Sequence, residues 1–194
     1  MPPKKVLMLV SDLGFHWREL TDAFHVFSDA NAQLDFASPR GRPKADALTI
    51  SKIPKSRAPE TEFFGQPVVK KIKAAKRLAE IDYRDYDAIY VVGGSGASSD
   101  LAANPFVKQL LSAAYHDQRW VGGRLDLVKE LAVLPPEMLE REGYIARVIV
   151  DERAVYSRSS RKARKVAIAL IKCMTGEGTK PKPRVAEFLD RKAG

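Results

Sequence analysis

A chain of 194 residues fits one domain, for which ~100 to 200 residues is the usual size, and 45% apolar with 29% charged residues suits a packed core, not a disordered tail. Lysine and arginine number 33 against 24 aspartate and glutamate, a net charge of +9 that raises the question of an anionic partner. No apolar run approaches the ~20 residues that cross a bilayer, and the single cysteine, Cys173, excludes an internal disulfide and a multi-cysteine zinc site.

Lys5 to Val10 is an uninterrupted apolar run that ends at Ser11 and Asp12, which predicts a strand buried on both faces and hence a parallel sheet. It is too short for a signal peptide, so the expected compartment is the cytoplasm. From Trp17 to Ala30 the spacing of Leu20, Ala23, Phe24 and Phe27 predicts a helix with one buried stripe, and Leu34 to Ala37 a second strand. Arg40 to Gln66, rich in Pro, Lys and Ser, is read as a long surface connection with little regular structure. Helical spacing resumes through Val69, Ile72, Ala75 and Ala79, and a strand over Ala88 to Val92 runs into the turn Gly93-Gly94-Ser95-Gly96.

Asn104 and Pro105 supply an N-cap and a first-turn proline for a helix that buries Val107, Leu110, Leu111 and Ala114 and ends at His116 to Arg119. Trp120 and Val121 read as the stub of a strand stopped by Gly122 and Gly123, with helix expected over Asp126 to Leu134 and a further turn or two over Pro136 to Glu142. Tyr144 to Val150 and Ala154 to Ser157 flank a polar turn and predict a hairpin. A last helix over Arg161 to Met174 is expected to bury Val166, Ala169, Leu170 and Cys173. The whole predicts one α/β domain over residues 1–176, a mostly parallel flavodoxin-like sheet with helices on both faces, followed by a basic tail over 177–194. In such sheets ligands bind beyond the carboxyl ends of the strands. The strand-end loops Ser11 to Glu19 and Gly93 to Asp100 are therefore the candidates.

Three stretches carry a family resemblance: KVLMLVSDLGFHWRELTDAF, then DYDAIYVVGGSGASSDLAANPF, and at the end LPPEMLEREG with VIVDERAVYSRSS. In this order and spacing they resemble the ThiJ/PfpI superfamily of class I glutamine amidotransferase-like proteins, most of all the branch of chaperone-type glyoxalases and protein deglycases. The resemblance implies a cysteine thiolate on a sharp turn after a central strand, a glutamate beside it and backbone donors from a Gly-Gly turn. Glu19 matches the glutamate and Gly93-Gly94 the donor turn, while Ser95 stands where many relatives have histidine. The Cys-His-Gly segment has no counterpart. After Trp120-Val121 the chain reads Gly122-Gly123-Arg124-Leu125 and passes directly to the Leu-Pro-Pro motif, an overlay that puts Leu125 at the cysteine position. The expectation is a chain without the nucleophile turn, the helix behind it and one strand, whose exposed gap favours a homodimer.

Glu19 is the candidate catalytic residue, and Gly93, Gly94, Ser95 and His16 the candidate ligand or oxyanion site; an acidic residue in a first helical turn is also favoured by the helix dipole alone. His16, three residues before Glu19, shares the crevice, whereas His25 and His116 take structural roles; no histidine has metal-ligand spacing, and no metal or cofactor is expected. Cys173, on an apolar helix position, is no replacement nucleophile. The favoured reading is a scaffold that has lost cysteine chemistry, a pseudoenzyme with a binding, chaperone-like or regulatory role and a small carbonyl or anionic ligand. A thiol-independent glyoxalase- or amidase-like lyase or hydrolase using Glu19 with Gly93-Gly94 is the second. A basic nucleic-acid-binding module is the third, resting on charge alone: the clusters Lys70, Lys71, Lys73, Lys76, Arg77 and Arg158, Arg161, Lys162, Arg164, Lys165 lack interleaved aromatics.

Overall fold

The computed structural model describes residues 2–51, 67–124, 148–151, 153–157 and 159–177. Seven strands form one sheet in the order β3-β2-β1-β4-β5-β7-β6. They are β1 (Lys5–Leu9), β2 (Gln33–Ser38), β3 (Lys76–Arg77), β4 (Ala88–Val91), β5 (Trp120–Arg124), β6 (Ile149–Asp151) and β7 (Ala154–Ser157). Every pairing is parallel except the β6-β7 hairpin at one edge. The mostly parallel sheet and the hairpin are those the sequence predicts.

Alternation along the central strands divides the core. Leu7, Leu9, Ile89, Val91 and Val121 face one side, where α4 (Pro105–His116) covers them with Val107, Leu111 and Ala114. Val6, Met8, Ala88 and Tyr90 face the other, against α1 (Trp17–Asp29) and α5 (Ala163–Thr175) with Leu20, Phe27, Val166 and Leu170. Two faces each holding an apolar layer explain why Val6 to Leu9 of β1 and all of β4 carry no charged residue.

Four expectations need correction or detail. The connection after β2, expected to hold little regular structure, carries the short helix α2 (Ala47–Ser51) in its described part; its residues 52–66 lie outside those described. Helix α3 (Pro67–Lys73) ends before Ala75: Lys76 and Arg77 leave it to pair with Ala37 and Ser38 as β3, where Lys76 Nζ reaches Asp35 at 3.2 Å. The buried stripe of α5 runs through Ala163, Val166, Ala167, Leu170 and Met174, leaving Ala169 and Cys173 at its half-buried margin.

The fourth concerns β5. It is no stub: Gly122 and Gly123 are strand residues, paired with Tyr90 and Val91 on one side and Val155 and Tyr156 on the other. A side chain on Gly122 would press on Leu170 Cδ2 at 3.0 Å, and Gly123 has φ +144°, so here glycine permits close packing instead of breaking the strand. β5 therefore joins β4 to β7 with no strand missing between them. Leu125 and the helices expected over Asp126 to Glu142 lie outside the described residues, as does most of the tail.

The candidate crevice at the carboxyl end of the sheet

β1 and β4 run side by side, so the loops that follow them meet at one end of the sheet. Gly94 and Gly96 let them touch. A Cβ on Gly94 would strike Gly14 O, Phe15 Cα (2.6 Å) and His16 N (2.7 Å), and one on Gly96 would strike Gly14 N and Ser11 Oγ (2.6 Å). Through this contact His16 N–H donates to Gly93 O at 2.6 Å and Gly96 N–H to Gly14 O at 2.9 Å. The first loop is held in shape by Ser11 Oγ, which accepts from Leu13 and Gly14 N–H at 3.0 Å each, and by Asp100, which accepts from Asp12 N–H at 2.7 Å.

His16 is the N-cap of α1, its Nδ1 accepting Glu19 N–H at 3.2 Å. This use of the ring fixes where the helix starts, and with it the position of Glu19 one turn in. The Glu19 side chain turns inward, the residue only 1% exposed, and its Oε1 accepts Gly93 N–H at 2.8 Å. Beneath it lies Tyr90, whose phenol is pushed well above its usual pKa by burial and by the nearby negative charges of Glu19 and Asp22. The structure thus brings together Glu19, His16, Gly93, Gly94 and Ser95.

Two further residues complete the crevice. Arg124, the last residue of β5, lays its side chain across Gly93: a Cβ there would collide with Arg124 Cδ and come within 2.9 Å of Glu19 Oε2. Asp46 arrives from the connection after β2, which pairs with the first loop through Phe15 N–H to Lys44 O and Asp46 N–H to Phe15 O, both 2.9 Å. Its Oδ1 caps α2 by accepting Leu48 N–H at 2.9 Å. The Ser95 hydroxyl, then the Leu48 and Ser95 N–H groups and the charge of His16, outweigh burial and hold the Asp46 carboxyl below its usual pKa. Both residues left a signal in the sequence: an aspartate before Ala-Leu-Thr is an N-cap pattern, and an arginine closing an apolar, glycine-bearing strand is out of place unless it has work at the strand end.

The remaining candidates lie elsewhere. His25 and His116 are exposed on α1 and α4, edge-on to Phe24 and Tyr115 at 5.8 and 5.9 Å, which agrees with structural roles. Cys173 is on the lower part of α5, where burial raises its thiol pKa and only the charge of Arg153 opposes this. Arg153 precedes β7 and covers the ring of Trp120, the first residue of β5, at 4.9 Å. The thiol is therefore at the amino end of the sheet, opposite Glu19. Among the described residues no group of three His, Cys, Asp or Glu side chains is placed to hold a metal ion, and no helix is long and apolar enough to cross a membrane.

Residues 4–123 match the model of the DJ-1/PfpI family. Among solved structures, the chain is similar to the Rapid Encystment Protein of Francisella tularensis (16% identity, 88% of this chain and 99% of that one, TM-score 0.69). It is also similar to glyoxalase III of Candida albicans (15%, 87% and 96%, 0.66) and to oxidized DJ-1 of Toxoplasma gondii (17%, 90% and 92%, 0.65). At these identities the likeness is one of fold. No curated relative matches the chain by sequence.

Proposed function

The chain belongs to the DJ-1/PfpI family, and on that premise we propose that it is a member without cysteine-dependent catalysis, whose crevice binds a small carbonyl or anionic ligand in a binding, chaperone-like or regulatory role. One placement supports this reading above others. The single thiol sits at the opposite end of the sheet from Glu19 and Gly93, with its pKa raised by burial, so it is neither near the crevice nor activated. At the crevice itself, the strand that leads to the family's nucleophile ends here in Arg124.

The intact pair of Glu19 and Gly93 motivates the second reading, a thiol-independent enzyme with Glu19 as general base. Against it, the Gly93 N–H that would serve an oxyanion is already bonded to the Glu19 carboxylate. Glyoxalase III among the structural neighbours makes methylglyoxal the substrate to try. The test is its consumption by the wild type, Glu19→Gln and Cys173→Ala. We expect all three to match the rate in buffer. Turnover that Glu19→Gln abolishes and Cys173→Ala leaves intact would overturn the reading in favour of the enzyme.

A further inference from the structure

The exposed apolar side chains of the described residues are not spread evenly. Leu13 (59% exposed), Leu48 (71%) and Phe106 (64%) all stand at the carboxyl end of the sheet, and among the described residues only Ile168, midway along α5, joins them at 38%. The three lie along one rim. On one side of Leu13, its N–H reaches Asp100 at 3.2 Å, on the segment that runs into α4 through Asn104, whose side chain takes Phe106 N–H at 2.9 Å. On the other side, a Cβ on its neighbour Gly14 would meet Asp46 Cβ at 3.7 Å, and Asp46 caps the helix that carries Leu48.

The same rim is cationic. Residues 40–44 run beside the first loop, Arg40 and Arg42 N–H donating to Asp12 at 2.7 and 3.0 Å and Lys44 N–H to Ser11 O at 3.2 Å. Arg40, Arg42 and Lys44 are exposed, and none of them makes an ion pair among the described residues. The acids beside them are committed to N–H groups: Asp12 to Arg40 and Arg42, Asp100 to Asp12 and Leu13, Asp46 to Leu48. At the amino end, by contrast, Lys4 and Arg84 pair with Asp87 and Asp82.

We infer that this rim docks on an anionic phospholipid surface, Leu13, Leu48 and Phe106 entering the headgroup region while Arg40, Arg42 and Lys44 meet lipid phosphates. The inference goes beyond the ligand reading of the crevice and does not depend on it. Apolar side chains interspersed with cations are what holds a protein on such a surface, and the net charge of +9 draws the chain to it. The contact is peripheral, since no described helix is long and apolar enough to cross a membrane. A polypeptide partner seated in a groove or on a strand edge would need the apolar residues on one such feature. Here they sit on a loop, a short helix and the start of α4, an arrangement that suits a partner without a shape of its own. Nucleic acid is disfavoured, because bases stack on aromatic rings and only Phe106 among the three offers one.

The experiment is co-sedimentation of the full chain with vesicles of phosphatidylcholine alone and of phosphatidylcholine mixed equally with phosphatidylglycerol. Wild type should bind the anionic vesicles roughly tenfold or more tightly than the neutral ones. The combined variant Leu13→Ser, Leu48→Ser, Phe106→Ser and the combined variant Arg40→Ser, Arg42→Ser, Lys44→Ser should each lose roughly tenfold or more. All six positions are exposed and the main-chain N–H groups remain, so both variants should keep the wild-type melting curve. Removing three exposed cations away from the rim, with Lys70→Ser, Arg84→Ser and Lys172→Ser, should leave most of the binding. No binding to anionic vesicles, equal binding to neutral ones, or indifference to the apolar substitutions would each overturn the inference. So would equal losses from the two charge variants, and so would a single-stranded RNA that binds where vesicles do not, which would give the rim to nucleic acid. The methylglyoxal assay contains no lipid, so its result and this one are distinguishable.

Discussion

The two ends of the sheet differ in how far side-chain cations support them. At the amino end Asp87 is met by Lys4 Nζ at 3.1 Å as well as by Lys5 N–H at 2.9 Å, while Lys5 sits over the Tyr86 ring at 4.9 Å and Arg153 over Trp120. At the carboxyl end the carboxylates are met largely by main-chain N–H groups: Glu19 by Gly93, Asp100 by Asp12 and Leu13, Asp12 by Arg40 and Arg42, Asp46 by Leu48. Exposed ion pairs are adaptable and screened by salt, whereas donors fixed in a turn hold one geometry. The end built from fixed donors is the one suited to recognising a ligand. The end with the ion pairs holds the thiol, whose pKa burial raises more than the charge of Arg153 lowers it.

The sharpest way to break this difference is at the glycine that joins the loops. Gly94→Ala forces a side chain onto a residue at φ +151° and against backbone atoms of Gly14, Phe15 and His16. It should cost about 3 kcal/mol or more in urea unfolding. Next comes the buried donor: Glu19→Ala leaves Gly93 N–H without its acceptor and should cost about 2 kcal/mol, while Glu19→Gln, which retains an acceptor, should cost clearly less in the same melt.

A smaller effect distinguishes side-chain from main-chain support through pH. Burial alone would raise the pKa of Asp35, but hydrogen bonds from Tyr86 Oη (2.9 Å) and Lys76 Nζ (3.2 Å) outweigh it and the net shift is downward. A carboxyl lowered in the folded state gives its full stabilisation above the ordinary carboxylate pKa and loses it as pH falls through the lowered value. Comparing unfolding midpoints at pH 6 and in the acid range below ~4, Tyr86→Phe should show a shallower acid loss than wild type, by about 1 kcal/mol. Smallest of all, Cys173→Ala should shift stability by under about 1 kcal/mol, and the wild-type thiol should react with iodoacetamide more slowly at neutral pH than a free cysteine.

Much of the sheet was legible because its signals are local. The apolar runs of β1 and β4, the Asn104-Pro105 start of α4 and the spacing of α1 each report a neighbourhood of a few residues. β5 was not, since two glycines in a row read as a break unless one knows that Leu170 packs above one and Val91 lies beside the other. Within the crevice, Glu19 and Gly93-Gly94 follow from the family motifs. Asp46 lies 27 residues after Glu19 on a segment of weak pattern, and its approach to Ser95 depends on a pairing with Phe15 that no periodicity announces. Arg124 was visible as a letter, but its path over Gly93 is a property of the folded strand end.

Amide hydrogen exchange at Gly93, in wild type, Glu19→Gln and Glu19→Ala, examines most directly whether the chain's own carboxylate holds the donor turn. Strong protection in wild type and Glu19→Gln, lost in folded Glu19→Ala, is the expected result. A Gly93 amide that exchanges in wild type as fast as an open loop would contradict it, and would return that donor to an incoming substrate.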